Sequence, residues 1–213
     1  MIKLVIFDFD GTLVDSVEVI YRFIKKEVEE GCCRLSNNFR SEMGDWPLEE
    51  HLKKSGVNKN REIIIGKIKK DLGDSIDKMK PAKGIAKLKE IKIKKVILSN
   101  NSDKVIRKIL AHIKIDFFDE IHSPKEFHDK AEGLRKVLGE KKIKPYEAIY
   151  IGDRDLDILA AKKVGCVSVG IFNHISWCTK EELIEAEPDF LISKLDDIPK
   201  ILRKLNSPQF AGV

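Results

Sequence analysis

The chain has 213 residues, 42% of them hydrophobic, which is enough to bury one sizeable core with a small accessory unit. No run approaches the roughly 18 apolar residues of a membrane span; the first apolar stretch, Ile2 to Phe7, is short and leads straight into Asp8 and Asp10, unlike a secretory leader, so a cytoplasmic protein is expected. Forty basic against thirty-five acidic residues leave a net charge of +5, but lysines alternate with glutamates instead of clustering with aromatics, the pattern of a solvated surface and not of a nucleic-acid face.

Ile2 to Phe7 is a β-branched and aromatic run that stops at Asp8, Gly11 and Thr12, and so reads as a buried strand emptying into a functional loop. From Asp15 to about Lys80 the pattern turns helical, with one stripe at Val17, Ile20, Tyr21, Ile24 and Val28 and a second at Ile64, Ile68, Leu72, Ile76 and Met79. Gly31, Gly44-Asp45-Trp46-Pro47 and Ser55-Gly56 punctuate it as loops, and Pro81 with Gly84 marks its end. Short apolar runs then recur at Val96 to Leu98, Ala148 to Ile151, Val167 to Ile171 and Phe190 to Ile192. Helical faces lie between them, at Val105, Ile106, Ile109, Leu110 and Ile113 and at Leu134, Val137 and Leu138. Asn206 to Val213 reads as a frayed tail.

Strands alternating with helices predict an α/β fold, a Rossmann-like parallel sheet covered by helices on both faces. The expected core comprises residues 1–14 and 81–213, and residues 15–80 form an all-helical cap inserted between strands one and two, over the sheet's carboxyl edge.

Four polar sites follow expected strands or open a helix: Asp8-Phe9-Asp10-Gly11-Thr12, Ser99-Asn100-Asn101, Lys130, and Gly152-Asp153 with Asp157. In an open parallel sheet these ends converge on one crevice, so groups remote in sequence can meet. Asp8 and Asp10 straddle Phe9, and Asp153 and Asp157 bring the carboxylates to four; such a group needs a cation, and an oxygen-only donor set suits magnesium better than zinc. A carboxylate nucleophile attacking a phosphoryl group must have its negative charge offset, which Lys130 and the metal supply. Ser99 and Asn100 can donate hydrogen bonds to phosphate oxygens, and Asp10 can act as acid and base on the leaving oxygen and the attacking water. Ser99-Asn100-Asn101 could equally cap the helix that follows.

Asp8-Phe9-Asp10-Gly11-Thr12-Leu13, Ser99-Asn100, Lys130 and Gly152-Asp153-Arg154-Asp155-Leu156-Asp157 resemble the four motifs of the haloacid dehalogenase superfamily, in its phosphatase branch with a small helical cap. The resemblance implies a phosphoglycolate-phosphatase-like enzyme with Asp8 as nucleophile and Asp10 as acid and base. It further implies that Asp8, the Asp10 carbonyl and Asp153 ligate magnesium, with Asp157 supporting them from behind. Thr12, Ser99, Asn100 and Lys130 would hold the substrate. The expected partner is a small phosphorylated metabolite, with neither nucleic acid nor membrane involved, and the protein would act as a monomer or homodimer.

Asp10 argues against a dehalogenase, which needs only the nucleophile. A sugar phosphomutase retains both aspartates and stays as the enzymatic alternative; a catalytically silent binding module is the other. Cys32, Cys33, Cys166 and Cys178 lack CxxC spacing and are read as reduced, and the five histidines lack metal-ligand spacing. Arg22, Arg40 and Trp46 lie in the insert without an assigned role, and Lys125 is the rival of Lys130.

Overall fold

The opening apolar run becomes strand β1 (Leu4–Phe7), buried at all four positions, in the computed structural model of the protein. The structure describes residues 1–30, 49, 52–53, 57, 60–123, 127 and 129–207. The loops expected at Gly31, 44–47 and 55–56 fall outside the described residues, as do Cys32, Cys33, Arg40, Trp46, Lys125 and the side chain of Leu72.

After β1 the chain forms two-residue strand β2 (Val14–Asp15), which pairs antiparallel with β3 (Lys80–Pro81). The segment between them is an excursion that starts and ends at this one ribbon. The remaining strands are β4 (Lys94–Leu98), β5 (Glu120–His122), β6 (Ala148–Gly152), β7 (Val167–Ile171) and β8 (Phe190–Ile192). They join β1 in one six-stranded sheet, order β5-β4-β1-β6-β7-β8, with every pairing parallel. The chain builds outward through β4 and β5 on one side of β1, then crosses to β6 and builds outward on the other. That reversal opens a crevice at the carboxyl ends of β1, β4 and β6.

Alternation along β1 sends Val5 and Phe7 to one face and Leu4 and Ile6 to the other. The first face packs on Ile106, Ile109 and Leu110 of helix α3 (Asp103–His112) and on Ile198, Ile201 and Leu202 of α7 (Ile198–Leu205). The second packs on Leu134, Val137 and Leu138 of α4 (Lys130–Lys141) and on Ala160 and Ala161 of α5 (Asp155–Val164). Each large side chain so buried contributes on the order of 1.5–3 kcal/mol. The predicted strands and helices of the core are thus all present. β5 is an addition, since Glu120-Ile121-His122 contains no apolar run to reveal it.

The excursion holds helices α1 (Val17–Glu30) and α2 (Arg61–Asp74), whose Ile24, Val28, Ile64, Ile65 and Ile68 form a separate apolar cluster with Leu52 and Val57. The second stripe does not continue to Met79 as one helix: α2 stops at Asp74, and Ile76–Lys78 is a 3-10 turn. Ile76 and Met79 pack into the core of the sheet and not into the cluster of the insert. Gly73 and Asp74 are weak helix formers at the point where the chain must turn back to β3. The tail expectation is also corrected at its start, because the Asn206 side-chain oxygen, at the C-cap of α7, accepts a hydrogen bond from the N–H of Ile2, just before β1, at 2.6 Å. Arg22 sits exposed on α1, donating to Glu18 at 3.0 Å. Cys166 and Cys178 are free thiols, and burial pushes both up to about 12.

Candidate active site

The loop after β1 is shaped by its glycine. Asp8 still follows the sheet, donating its N–H to the Ile151 carbonyl at 2.8 Å, and the chain then turns so that the Leu13 and Val14 N–H groups both reach the Phe9 carbonyl. Gly11 takes a left-handed φ of 83° there, and a Cβ on it would stand 2.4 Å from Asp153 Oδ2. Thr12 is fully buried, and its hydroxyl donates to Asp153 Oδ1 at 2.8 Å. The structure therefore sets Thr12 against Asp153, where the sequence reading set it against the substrate.

At the end of β4, Ser99 donates its N–H to the His122 carbonyl at 3.1 Å, and its hydroxyl oxygen accepts from the Asn101 N–H at 3.0 Å. Asn101 turns its side-chain amide to Asp10, donating to Oδ2 at 3.1 Å, while the Ser16 hydroxyl donates to Asp10 Oδ1 at 2.6 Å. Asn100 lies half-buried between them. None of these three caps the next helix. The N-cap of α3 is Ser102, whose hydroxyl accepts from the Val105 N–H, so Ser99-Asn100-Asn101 is relieved of that duty.

Lys130 is the first residue of α4, directly after its N-cap Asp129, which accepts from the Glu132 N–H at 2.7 Å. The Lys130 ammonium has three donors and three acceptors: Asp8 Oδ1, the Leu98 carbonyl at 3.0 Å and Tyr150 Oη at 2.9 Å. It also lies 3.4 Å from Asp157 Oδ1. Burial acts to lower its pKa, but Asp8 and Asp157 outweigh that and raise it, so it remains an ammonium.

β6 ends at Gly152, where a Cβ would stand 2.3 Å from Asp157 Oδ2. Asp153 is completely buried and accepts from Thr12 on one oxygen and from the Trp177 N–H, at 2.6 Å, on the other. Asp157 accepts from Tyr150 Oη at 2.8 Å and from the Arg154 N–H at 3.3 Å. Asp8, Asp153 and Asp157 can each turn one oxygen to a common point, with these atoms within 4.8 Å of one another. The Asp10 carboxylate is held apart by Ser16 and Asn101, which is compatible with its carbonyl being the ligand that the resemblance assigns.

Asp8, Asp10 and Asp153 are all raised above the ordinary carboxylate value, with burial the first cause in each. Burial raises the Asp8 pKa to about 7, with Lys130 pulling against it and Asp157 and Asp10 adding to it. Burial, then Asp8 and Asp157, push Asp153 well above the ordinary carboxylate range. Burial also raises Asp10, opposed by its bonds from Ser16 and Asn101. A hard divalent cation among oxygen-only donors would offset this charge, so these residues fit magnesium.

The structure thus brings together Asp8, Lys130, and the Asp153–Asp157 pair from three distant segments, and joins Asp10 to Ser99 through Asn101. Sequence reasoning missed Tyr150 and Trp177 as parts of the site, and it placed Asn101 at the crevice without its partner Asp10. Tyr150 alone left a signal, since a tyrosine inside a fully buried strand needs a partner for its hydroxyl.

The family model of haloacid dehalogenase-like hydrolases matches residues 5–171 of the chain. A phosphoglycolate phosphatase of Synechococcus elongatus is 23% identical over 211 residues, which span 94% of this chain and 97% of that one. A candidate pyrophosphatase PpaX of Clostridium perfringens is 30% identical over 226 residues, 97% of this chain and 100% of that one. Among solved structures, a haloacid dehalogenase-like family hydrolase of Streptococcus pneumoniae superposes with a TM-score of 0.81 at 22% identity, covering 94% of this chain and 98% of its own.

Proposed function

Because the chain belongs to the haloacid dehalogenase-like hydrolase family, we propose that it is a magnesium-dependent phosphatase that hydrolyses a small phosphorylated metabolite through an aspartyl-phosphate at Asp8. The observation carrying this reading is the meeting of Asp8, Lys130, Asp153 and Asp157 at the carboxyl ends of β1, β4 and β6, with Asp10 held beside them by Ser16 and Asn101. Magnesium, held by Asp8, Asp153 and the Asp10 carbonyl with Asp157 behind them, would supply the positive charge that a transferring phosphoryl group requires.

An Asp8 carboxylate oxygen attacks phosphorus, and the bond from phosphorus to the leaving oxygen breaks. Asp10 gives its proton to that oxygen, and the alcohol departs. Asp10, now a carboxylate, then takes a proton from water as the water oxygen attacks the same phosphorus. The bond from Asp8 to phosphorus breaks, releasing inorganic phosphate and restoring both aspartates. Throughout, Lys130 fixes the orientation of Asp8, and Ser99 and Asn100 donate to phosphate oxygens. Thr12 serves by holding Asp153.

Residues 15–80 act as a cap, joined to the core by the β2–β3 ribbon, that restricts the crevice to small esters and keeps bulk water from the intermediate. Phosphoglycolate and pyrophosphate head the substrate panel, because similar chains carry those activities in their names. The test is phosphate release from that panel, with and without magnesium, by the native chain and by Asp8→Asn. Metal-dependent release lost in the variant is expected. Release that persists in Asp8→Asn would refute the nucleophile, and an isomerised sugar phosphate in place of free phosphate would make the enzyme a phosphomutase.

A further inference from the structure

We infer that Trp177 is a positioning residue that ties the helical insert to the metal-binding carboxylate Asp153. The inference rests on the metal site proposed above.

Trp177 lies in the loop between β7 and helix α6 (Lys180–Glu185), and its two ends meet different parts of the molecule. Its backbone N–H donates to Asp153 Oδ2 at 2.6 Å. Its indole packs, partly buried, against the apolar cluster of the insert, the one built from Ile24, Val28, Ile64 and Ile68. The Arg154 guanidinium, next to Asp153 in the chain, lies 5.8 Å from the ring centroid, a cation–π distance. One residue therefore touches the insert with its side chain and a metal carboxylate with its main chain.

For this contact to transmit position, the loop must move as a unit, and its hydrogen bonds make it one. The Asn173 N–H donates to Ser176 Oγ at 3.1 Å, the Ile175 N–H to Asn173 Oδ1 at 3.0 Å, and Ser176 Oγ to the Ile171 carbonyl at 3.2 Å. On the far side, Thr179 and Glu182 form a reciprocal cap at the start of α6. Ile175 is buried in the core of the sheet. With both flanks fixed, the Trp177 ring and N–H cannot shift independently.

Asp153 has its other oxygen held by Thr12 from the β1 loop, so its plane is set by one donor within the core and one that leans on the insert. Each carboxylate oxygen keeps a second lone pair for an ion. Donors that orient a ligand in this way ordinarily alter metal affinity by 10- to 100-fold when removed. The coupling must also run in reverse, so that metal bound at Asp153 fixes Trp177 and, through its ring, the insert.

Magnesium affinity, measured by titration calorimetry without substrate on the native chain, Trp177→Phe and Trp177→Ala, tests this directly. Trp177→Ala keeps the main-chain donor and removes only the ring that positions it, so it is expected to bind more weakly by up to about tenfold, the low end for outright loss of an orienting partner, and Trp177→Phe, which restores an aromatic ring against the insert, to recover most of the loss. The sequence contains two tryptophans, so in a Trp46→Phe chain Trp177 is the sole indole fluorophore. Its emission should then change with added magnesium at the calorimetric midpoint, and Asp153→Asn should remove both signals. Native affinity in Trp177→Ala, or silent Trp177 emission while calorimetry records binding, would overturn the inference and leave the phosphatase reading intact. Should Trp177→Ala not fold, the emission titration decides alone. No magnesium binding by the native chain would overturn the metal site and this inference together.

Discussion

Tyr150 accepts a hydrogen bond from the Lys130 ammonium at 2.9 Å while its own hydroxyl donates to Asp157 at 2.8 Å, so one buried hydroxyl fixes the spacing between the lysine that holds Asp8 and the buried carboxylate of Asp157. Tyr150→Phe keeps the ring and removes only that link. Two buried charged groups each lose a partner, a change of about 1–3 kcal/mol in urea unfolding. Lys130 retains Asp8 and the Leu98 carbonyl, so turnover should fall by between about tenfold and a hundredfold and not vanish. Undiminished turnover would mean that those two partners place the ammonium unaided.

Gly152 is needed for closeness. A Cβ there would meet not only Asp157 Oδ2 at 2.3 Å but also Asp157 Cβ and Cγ at 2.4 Å. Rotating the Asp157 side chain cannot relieve a clash that includes its own Cβ, so the start of α5 must move. Gly152→Ala is expected to fold with about 1–3 kcal/mol less stability and to lose roughly a hundredfold in activity as Asp157 is displaced. Urea unfolding with parallel phosphate-release assays checks both, and a variant that is destabilised but fully active would show that the position of Asp157 does not matter.

The parts of this molecule that could be read in the sequence are those governed by local rules. β1 and β6 are continuous apolar runs because both faces of the sheet are covered, and Asp8 and Asp153, which follow them, are conspicuous by contrast. Thr12 was legible as part of a motif but not in its partner, because the Thr12–Asp153 bond spans 141 positions. Asn101 and Trp177 act through contacts that no periodicity encodes. The second stripe of the insert misled at Ile76 and Met79, since a helical spacing persists across a turn when the residues beyond it happen to face another core. β5 escaped notice because Glu120 and His122 flank its one apolar residue, and Glu120 is held by Lys141 of α4 and not by an apolar neighbour.

Those charges make β5 pH-sensitive. Lys141 on α4 reaches across to Glu120, and its hydrogen bond, with a smaller opposing effect of burial, lowers the Glu120 pKa below its ordinary 4.5. The His122 ring stands 3.3 Å away on the same strand. A depressed folded-state pKa contributes stability that is present above the unfolded value and lost as pH falls through the folded one. Glu120→Gln should therefore be less stable than the native chain at pH 7, with the difference shrinking as the pH drops below about 4.5, the ordinary carboxylate value. A difference that stays constant with pH in denaturant unfolding would assign the loss to packing and not to charge.

Asp153→Asn should act in opposite directions with and without metal. In a chelator, the native chain keeps Asp153 fully buried beside Asp8 and Asp157, and burial, with their repulsion added, drives its carboxyl well above the usual range. Asparagine removes that conflict at nearly constant shape. Its amide oxygen can still accept from the Trp177 N–H, and its NH2 can face Thr12, whose hydroxyl is able to accept as well as donate. The variant should then melt at or above the native temperature. With magnesium at a hundred times its Kd, the native chain gains about 2.7 kcal/mol, or roughly 5–10 °C for a protein of this size, and the variant gains almost nothing. Scanning calorimetry in both conditions reads the crossing. An Asn variant that kept the full magnesium shift would remove Asp153 from the ligand set, and one that melted below the native chain in chelator would show that Thr12 and Trp177 stabilise the carboxyl more than its neighbours oppose it.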